Sequence, residues 1–161
     1  MAQRKLPHRA LDKPGAPGPF SPRPPNFPMA SILLIDDDNS LRVMTSQLLK
    51  AGGHCVDTAG DGKAGLELYK SGRYDLVITD IVMPDMNGLQ LIEQLAKMTP
   101  RPRVIAFSGG SQFSQSIFLP FAKDMGVERI LAKPVMPGVL LSTVTDVLNQ
   151  PAQTAKTQAQ P

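Results

Sequence analysis

Four short apolar runs in this chain each stop at a residue that can do chemistry. Ile32-Leu33-Leu34-Ile35 leads into Asp36-Asp37-Asp38, Leu76-Val77-Ile78-Thr79 closes on Asp80, Val104-Ile105-Ala106-Phe107 closes on Ser108, and Ile130-Leu131-Ala132 closes on Lys133-Pro134. Gathered in one place, Asp36, Asp37 and Asp80 would repel one another unless a cation sat among them. One or two carboxylates with water completing the shell is a ligand set that Mg²⁺ accepts. A carboxylate such as Asp80 can also attack a phosphoryl group and hold it as an aspartyl phosphate. The metal would then neutralise charge on the incoming oxygens, Lys133 would contact another of them as a point charge, and Ser108 would supply a donor. Each residue taken singly has a plainer reading. The acidic triplet can be a solvated turn with Asp38 facing outward or capping a helix, Ser108 a turn residue before Gly109-Gly110, and Lys133 a surface lysine before a proline. Four such residues closing four apolar runs in order favour the shared site.

The elements that must position them follow from periodicity. Leu41, Met44 and Leu48 mark a helix after a cap at Asp38 or Asn39. His54 to Ala59 reads as a half-polar edge strand with Cys55 as a small buried hydrophobe. Asp61 to Tyr69 gives a second helix, Leu89, Ile92 and Ala96 a third, and Leu140, Val144 and Leu148 the last. Between Gly109 and Gly126 a long loop leads into a helix around Pro120, where proline is tolerated only in the first turn. Five strands alternating with five helices predict a doubly wound parallel α/β sheet with helices on both faces. In such a sheet the C-terminal strand ends share one rim, where ligands bind.

The chain has 161 residues, 42% of them hydrophobic, enough for one domain with an ordinary core. Its pI of about 9.2 suggests nucleic acid as a partner, but the charge is uneven. Residues 1–28 hold Arg4, Lys5, Arg9, Lys13 and Arg23 against Asp12 alone, whereas the remainder, with 12 Lys+Arg against 13 Asp+Glu, is nearly neutral. No direct DNA binding is therefore expected. Residues 1–28 also carry 8 of the 16 prolines and are expected to be a disordered basic tail; Met29 leaves open a start just before the first strand. Residues 150–161 read as a second, polar tail, with the folded domain at 29–149. No apolar stretch nears membrane-spanning length, and no secretory signal is visible. A single cysteine fits a reducing, cytoplasmic setting.

With these segments in view, the sequence resembles the receiver domain of two-component response regulators. The resemblance rests on Ile32 to Asp38, on Asp80-Ile81-Val82-Met83-Pro84-Asp85-Met86-Asn87-Gly88, and on Lys133-Pro134, and covers residues from about 30 to 149. It implies the flavodoxin-like strand order 2-1-3-4-5 and Asp80 as phosphoacceptor. It further implies Asp36, Asp37 and the Val82 carbonyl as metal ligands beside Asp80, Ser108 and Lys133 as the accompanying hydroxyl and lysine, and a Lys133-Pro134 bond that is often cis. Mg²⁺ is the expected cofactor, and a histidine kinase or histidine phosphotransfer protein the expected donor. Either an unidentified protein partner or onward phosphoryl transfer would be the output, and a homodimer on phosphorylation stays open. The length after Lys133 leaves room for one helix and a tail, so a single-domain, non-enzymatic regulator is expected.

Three departures qualify this picture. Ile130 stands where the family usually has Phe or Tyr, three residues before the lysine. The segment from Ser108 to Lys133 is longer than usual, and its Phe113, Phe118 and Phe121 are expected to pack in the core, the alternative being that they carry a different readout of the switch. Val82 and Gly110 occupy positions that tune access of water to a phosphoryl group. The alternatives are a phosphorylation-independent interaction module and a Mg²⁺-dependent aspartyl-phosphate hydrolase. The hydrolase would need a second Asp at position 82, which is Val.

Overall fold

The computed structural model describes residues 29–109, 120–121 and 124–151. In chain order these form β1 (Ser31–Ile35), α1 (Asn39–Ala51), β2 (Cys55–Ala59), α2 (Gly62–Ser71), β3 (Leu76–Asp80), α3 (Gly88–Ala96), β4 (Arg103–Ser108), β5 (Arg129–Ala132) and α4 (Pro137–Asn149). The strands pair in parallel in the order β2-β1-β3-β4-β5, which is the expected flavodoxin-like arrangement. Chain direction reverses its progress across the sheet at β1 and β3, the switch point at which such sheets open a crevice.

Both faces of the sheet are covered, which is why its central strands are continuously apolar. Leu33, Ile35, Val77 and Ala106 pack on one face with Leu66 of α2 and Leu91, Ile92 and Leu95 of α3. Ile32, Leu34, Ile78 and Phe107 pack on the other with Leu49 of α1 and Leu140, Val144 and Val147 of α4. Every residue of β3 is buried, so the strand that ends in Asp80 is the most enclosed. Three helices start where a side chain takes up free amide donors. Asp38 accepts from Leu41 N–H, Asp61 accepts from Ala64 N–H, and Asn87 and Gln90 form a reciprocal capping box. Asp38 thus has the capping role considered for it.

The strand at the sheet's side corrects one expectation: Cys55 is exposed, not a buried hydrophobe. β2 has a single neighbour, and Ala59 is the only buried residue in it. Of the helix expected around Pro120, the described residues Pro120, Phe121 and Asp124 are helical, with Met125 N–H donating to the Phe121 carbonyl at 3.0 Å. Phe121 is 56% exposed and so is not the core residue expected. Phe113, Phe118 and Gly110, and the proposed tails apart from Gln150 and Pro151, lie outside the described residues. No helix among the described residues is long and apolar enough to cross a membrane.

At the corner before β3, the Tyr74 hydroxyl donates to Asp57 of β2 at 2.8 Å. Burial first, then the Asp57 bond and charge, push the Tyr74 pKa up to about 12. An acid whose folded value lies above its unfolded value of about 10 keeps its proton longer in the fold. Its stabilising contribution is complete below pH ~10 and is lost as pH rises through the folded value. Absorbance titration of the phenolates is expected to show an ionisation near 12 that disappears in Tyr74→Phe. Ionisation of Tyr74 at the ordinary value would contradict the hydrogen bond.

Candidate functional site

The acidic site is assembled by register. β1 and β3 are adjacent, with Ile35 opposite Thr79, so Asp36 and Asp80 emerge side by side one residue later. β3 and β4 place Asp80 opposite Phe107, and β4 and β5 place Ser108 opposite Ala132. Lys133 N–H then donates to the Ser108 carbonyl at 2.8 Å, which sends the lysine side chain from beyond the end of β5 toward the carboxylates.

Its Nζ lies 2.8 Å from Asp36 Oδ2 and 2.6 Å from Asp80 Oδ2. Asp36 is 2% and Asp80 6% exposed, so the ammonium bridges two buried carboxylates. The remaining oxygens are held as well. Asp36 Oδ1 accepts from Asp38 N–H at 2.9 Å, and Asp80 Oδ1 accepts from Val82 N–H at 3.2 Å. Burial raises the Asp80 carboxyl above the ordinary carboxylate range. The Lys133 bond and charge and the Val82 N–H offset this in part, while Asp36 adds to it. For Lys133, burial alone would lower the ammonium's pKa, but the bonds and charges of Asp36 and Asp80 more than reverse this and raise it.

Asp37 completes the group from the solvent side. Carboxylate oxygens of Asp36, Asp37 and Asp80 lie within 4.8 Å of one another. Three carboxylates facing one ammonium leave excess negative charge in an oxygen-lined pocket open on one side. That donor set suits a hard divalent cation with water in its open positions. Ser108 is 1% exposed and sits at the same rim, but its hydroxyl donates to the Gly109 carbonyl at 3.3 Å, apart from the charged cluster. The Val82 side chain is 56% exposed. The Lys133-Pro134 bond is cis. Ile130 is half-buried against the core on the α2 and α3 side.

Arg42 was not singled out from sequence, yet it reaches this site. Its guanidinium donates to the Asp36 carbonyl at 2.6 Å and to Asn39 Oδ1 at 2.9 Å, tying the first turn of α1 to the acidic loop. The available signal was its place one turn into a helix that begins just after the triplet, because helical side chains lean back over the preceding turn.

A profile of the family described as "Response regulator receiver domain" matches residues 32–145. The chain belongs to that family. Over 120 residues it is 37% identical to the DNA-binding transcriptional regulator NtrC of Azospirillum brasilense, spanning 74% of this chain and 24% of that protein. Over 121 residues it is 32% identical to the aerobic respiration control sensor protein ArcB of Escherichia coli, spanning 73% and 15%. It therefore covers only a small part of the length of these relatives. Among solved structures it resembles chemotaxis protein CheY4 of Vibrio cholerae, with TM-score 0.69, 29% identity, and coverage of 74% of this chain and 98% of that one. A CheY-like receiver domain protein from Methanospirillum hungatei gives TM-score 0.68 and 30% identity, covering 75% and 94%. Receiver domains are phosphoacceptors, not enzymes in the usual sense, and the acidic cluster is consistent with phosphoaspartate chemistry.

Gly88 sets how closely the turn after Asp80 can fold back. Its N–H donates to the Ile81 carbonyl at 2.9 Å, and a Cβ there would overlap the Asp80 carbonyl and the Ile81 Cα. Gly88→Ala is expected to destabilise the fold by about 1–3 kcal/mol, read as a lower urea midpoint with an unchanged slope. Wild-type stability in this variant would show that the turn has room to spare.

Proposed function

We propose that this receiver domain, spanning residues 29–149, accepts a phosphoryl group on Asp80 from the phosphohistidine of a histidine kinase or histidine phosphotransfer protein. The observation that carries this reading is the Lys133 ammonium lodged between Asp36 and Asp80, with Asp37 beside them. Asp36, Asp37, Asp80 and the Val82 carbonyl would hold Mg²⁺, which neutralises phosphoryl oxygen charge when bound. The Asp80 carboxylate attacks phosphorus, an O–P bond forms, the N–P bond to the donor imidazole breaks, and the ring nitrogen keeps the electron pair. Lys133 is already within reach of Asp80 and pairs with a phosphoryl oxygen. Ser108, whose hydroxyl bonds only the adjacent carbonyl among the described residues, turns to donate to another.

The added negative charge alters the rim at Ser108 and Lys133. The consequence is a changed affinity for a protein partner or onward passage of the phosphoryl group. Similarity to regulators that work with sensor kinases supports the donor class and a cytoplasmic setting.

Incubation with acetyl phosphate and Mg²⁺ is expected to add one phosphoryl mass to the wild type and none to Asp80→Asn. Labelling of Asp80→Asn at the wild-type level would remove Asp80 as the acceptor. Millimolar Mg²⁺ is expected to raise the melting temperature of the wild type, since a ligand that binds only the folded state stabilises it. Asp37→Ala should lose most of that rise, from a metal-free melting point no lower than that of the wild type. An equal rise in both proteins would place the cation elsewhere.

A further inference from the structure

The opposite rim of the sheet, where the strands begin, carries a feature that phosphoryl chemistry at Asp80 does not use. A groove of about 600 Å³ lies between the end of α2 and the segment before β4, lined by Tyr69, Arg73, Tyr74, Met98 and Pro100 among others. It shares Tyr69, Tyr74 and Pro100 with a smaller hollow of about 130 Å³ that reaches Arg101 and Arg103. The two tyrosine rings are stacked, with centroids 6.2 Å apart and planes inclined by 28°. Both are only partly buried, so aromatic surface is left on the groove.

The charges around this aromatic pair are unequally committed. Glu128 accepts from Val104 N–H at 2.6 Å and Asp75 from Ser31 N–H at 2.8 Å, so both acids fasten the backbone at strand starts. Lys70 pairs with Glu67 at 3.0 Å, and Arg103 donates to the Gln150 carbonyl. Arg73 and Arg101 are exposed and make no such hydrogen bond among the described residues. Arg101 feels the Glu128 charge and lies against Gly126, whose φ of +69° and lack of a Cβ leave room for the guanidinium. Arg73 thus lines the larger hollow and Arg101 the smaller one, and the Tyr69 and Tyr74 rings line both.

We propose that this groove binds a mononucleotide, its base against the Tyr69–Tyr74 pair and its phosphate neutralised by Arg73 and Arg101. Aromatic faces accept flat heterocycles by stacking, and guanidinium forks match phosphate oxygens. The volume lies in the range of small-molecule sites, about 300–1,000 Å³. Inorganic phosphate would satisfy the arginines but not the rings, and a nucleoside the reverse.

The test is a set of amide-shift titrations of the full chain with AMP, GMP, adenosine and inorganic phosphate. At least one nucleotide is expected to shift the amides of 72–74 and 101–103 saturably, at least about tenfold more tightly than either adenosine or phosphate. Arg73→Gln with Arg101→Gln should weaken that binding at least about tenfold, and so should Tyr69→Leu, with the amides of β1 and β3 unmoved. Absence of saturation by about 10 mM for both nucleotides, phosphate binding as tightly as the nucleotide, or variants that bind like the wild type would each overturn the proposal.

Discussion

A single ammonium holds together charges that would otherwise force the C-terminal rim apart. Asp36 and Asp80 are both nearly inaccessible to water, and Lys133 touches both. Removing one partner from a buried ion pair leaves an uncompensated charge, so the position of Lys133 constrains everything around it. Its strand, β5, must dock beside β4 so that the lysine projects over Asp80. The backbone bond from Lys133 N–H to the Ser108 carbonyl fixes that approach. The pocket remains underneutralised, which leaves it receptive to a dication.

The turn following Asp80 is built for close quarters. Val82 N–H folds back to the Asp80 carboxylate, Gly88 N–H returns to the Ile81 carbonyl, and the Asn87–Gln90 box starts α3 at once. Asp85 within this turn has φ 61°, a left-handed conformation in which Asp is among the better tolerated non-glycine residues. A residue of this kind, rather than a bulky or β-branched one, lets the chain reverse without lengthening the loop. The carboxylate is therefore held from both sides, by its own strand and by the turn that leaves it.

The central sheet was legible because burial on both faces writes strands as unbroken apolar runs. β1, β3 and β4 lie where those runs stand, and the residues that close them converge because parallel strands end together. β2 and β5 are less plain in sequence, since a strand with one neighbour needs fewer buried positions; Cys55 was misjudged for that reason. Phe121 was misjudged because an aromatic residue was credited with a core place that residue type alone does not fix. Arg42 escaped notice because its role depends on reaching a backbone carbonyl, which has no residue-type signature. The substitution of Ile for an aromatic at position 130 was readable at once. Its packing against the core on the α2 and α3 side could be learned only from the fold.

The direction of the first strand and of the last helix has a consequence for architecture. β1 begins at Ser31 on the rim away from the carboxylates, and α4 runs back to that same rim, where the Gln150 carbonyl receives Arg103. Both points of attachment therefore lie on the side of the sheet away from the acidic pocket. Such a unit can be threaded into a longer polypeptide at either side with its reactive face still pointing outward, which is how one module can serve within proteins several times its own length.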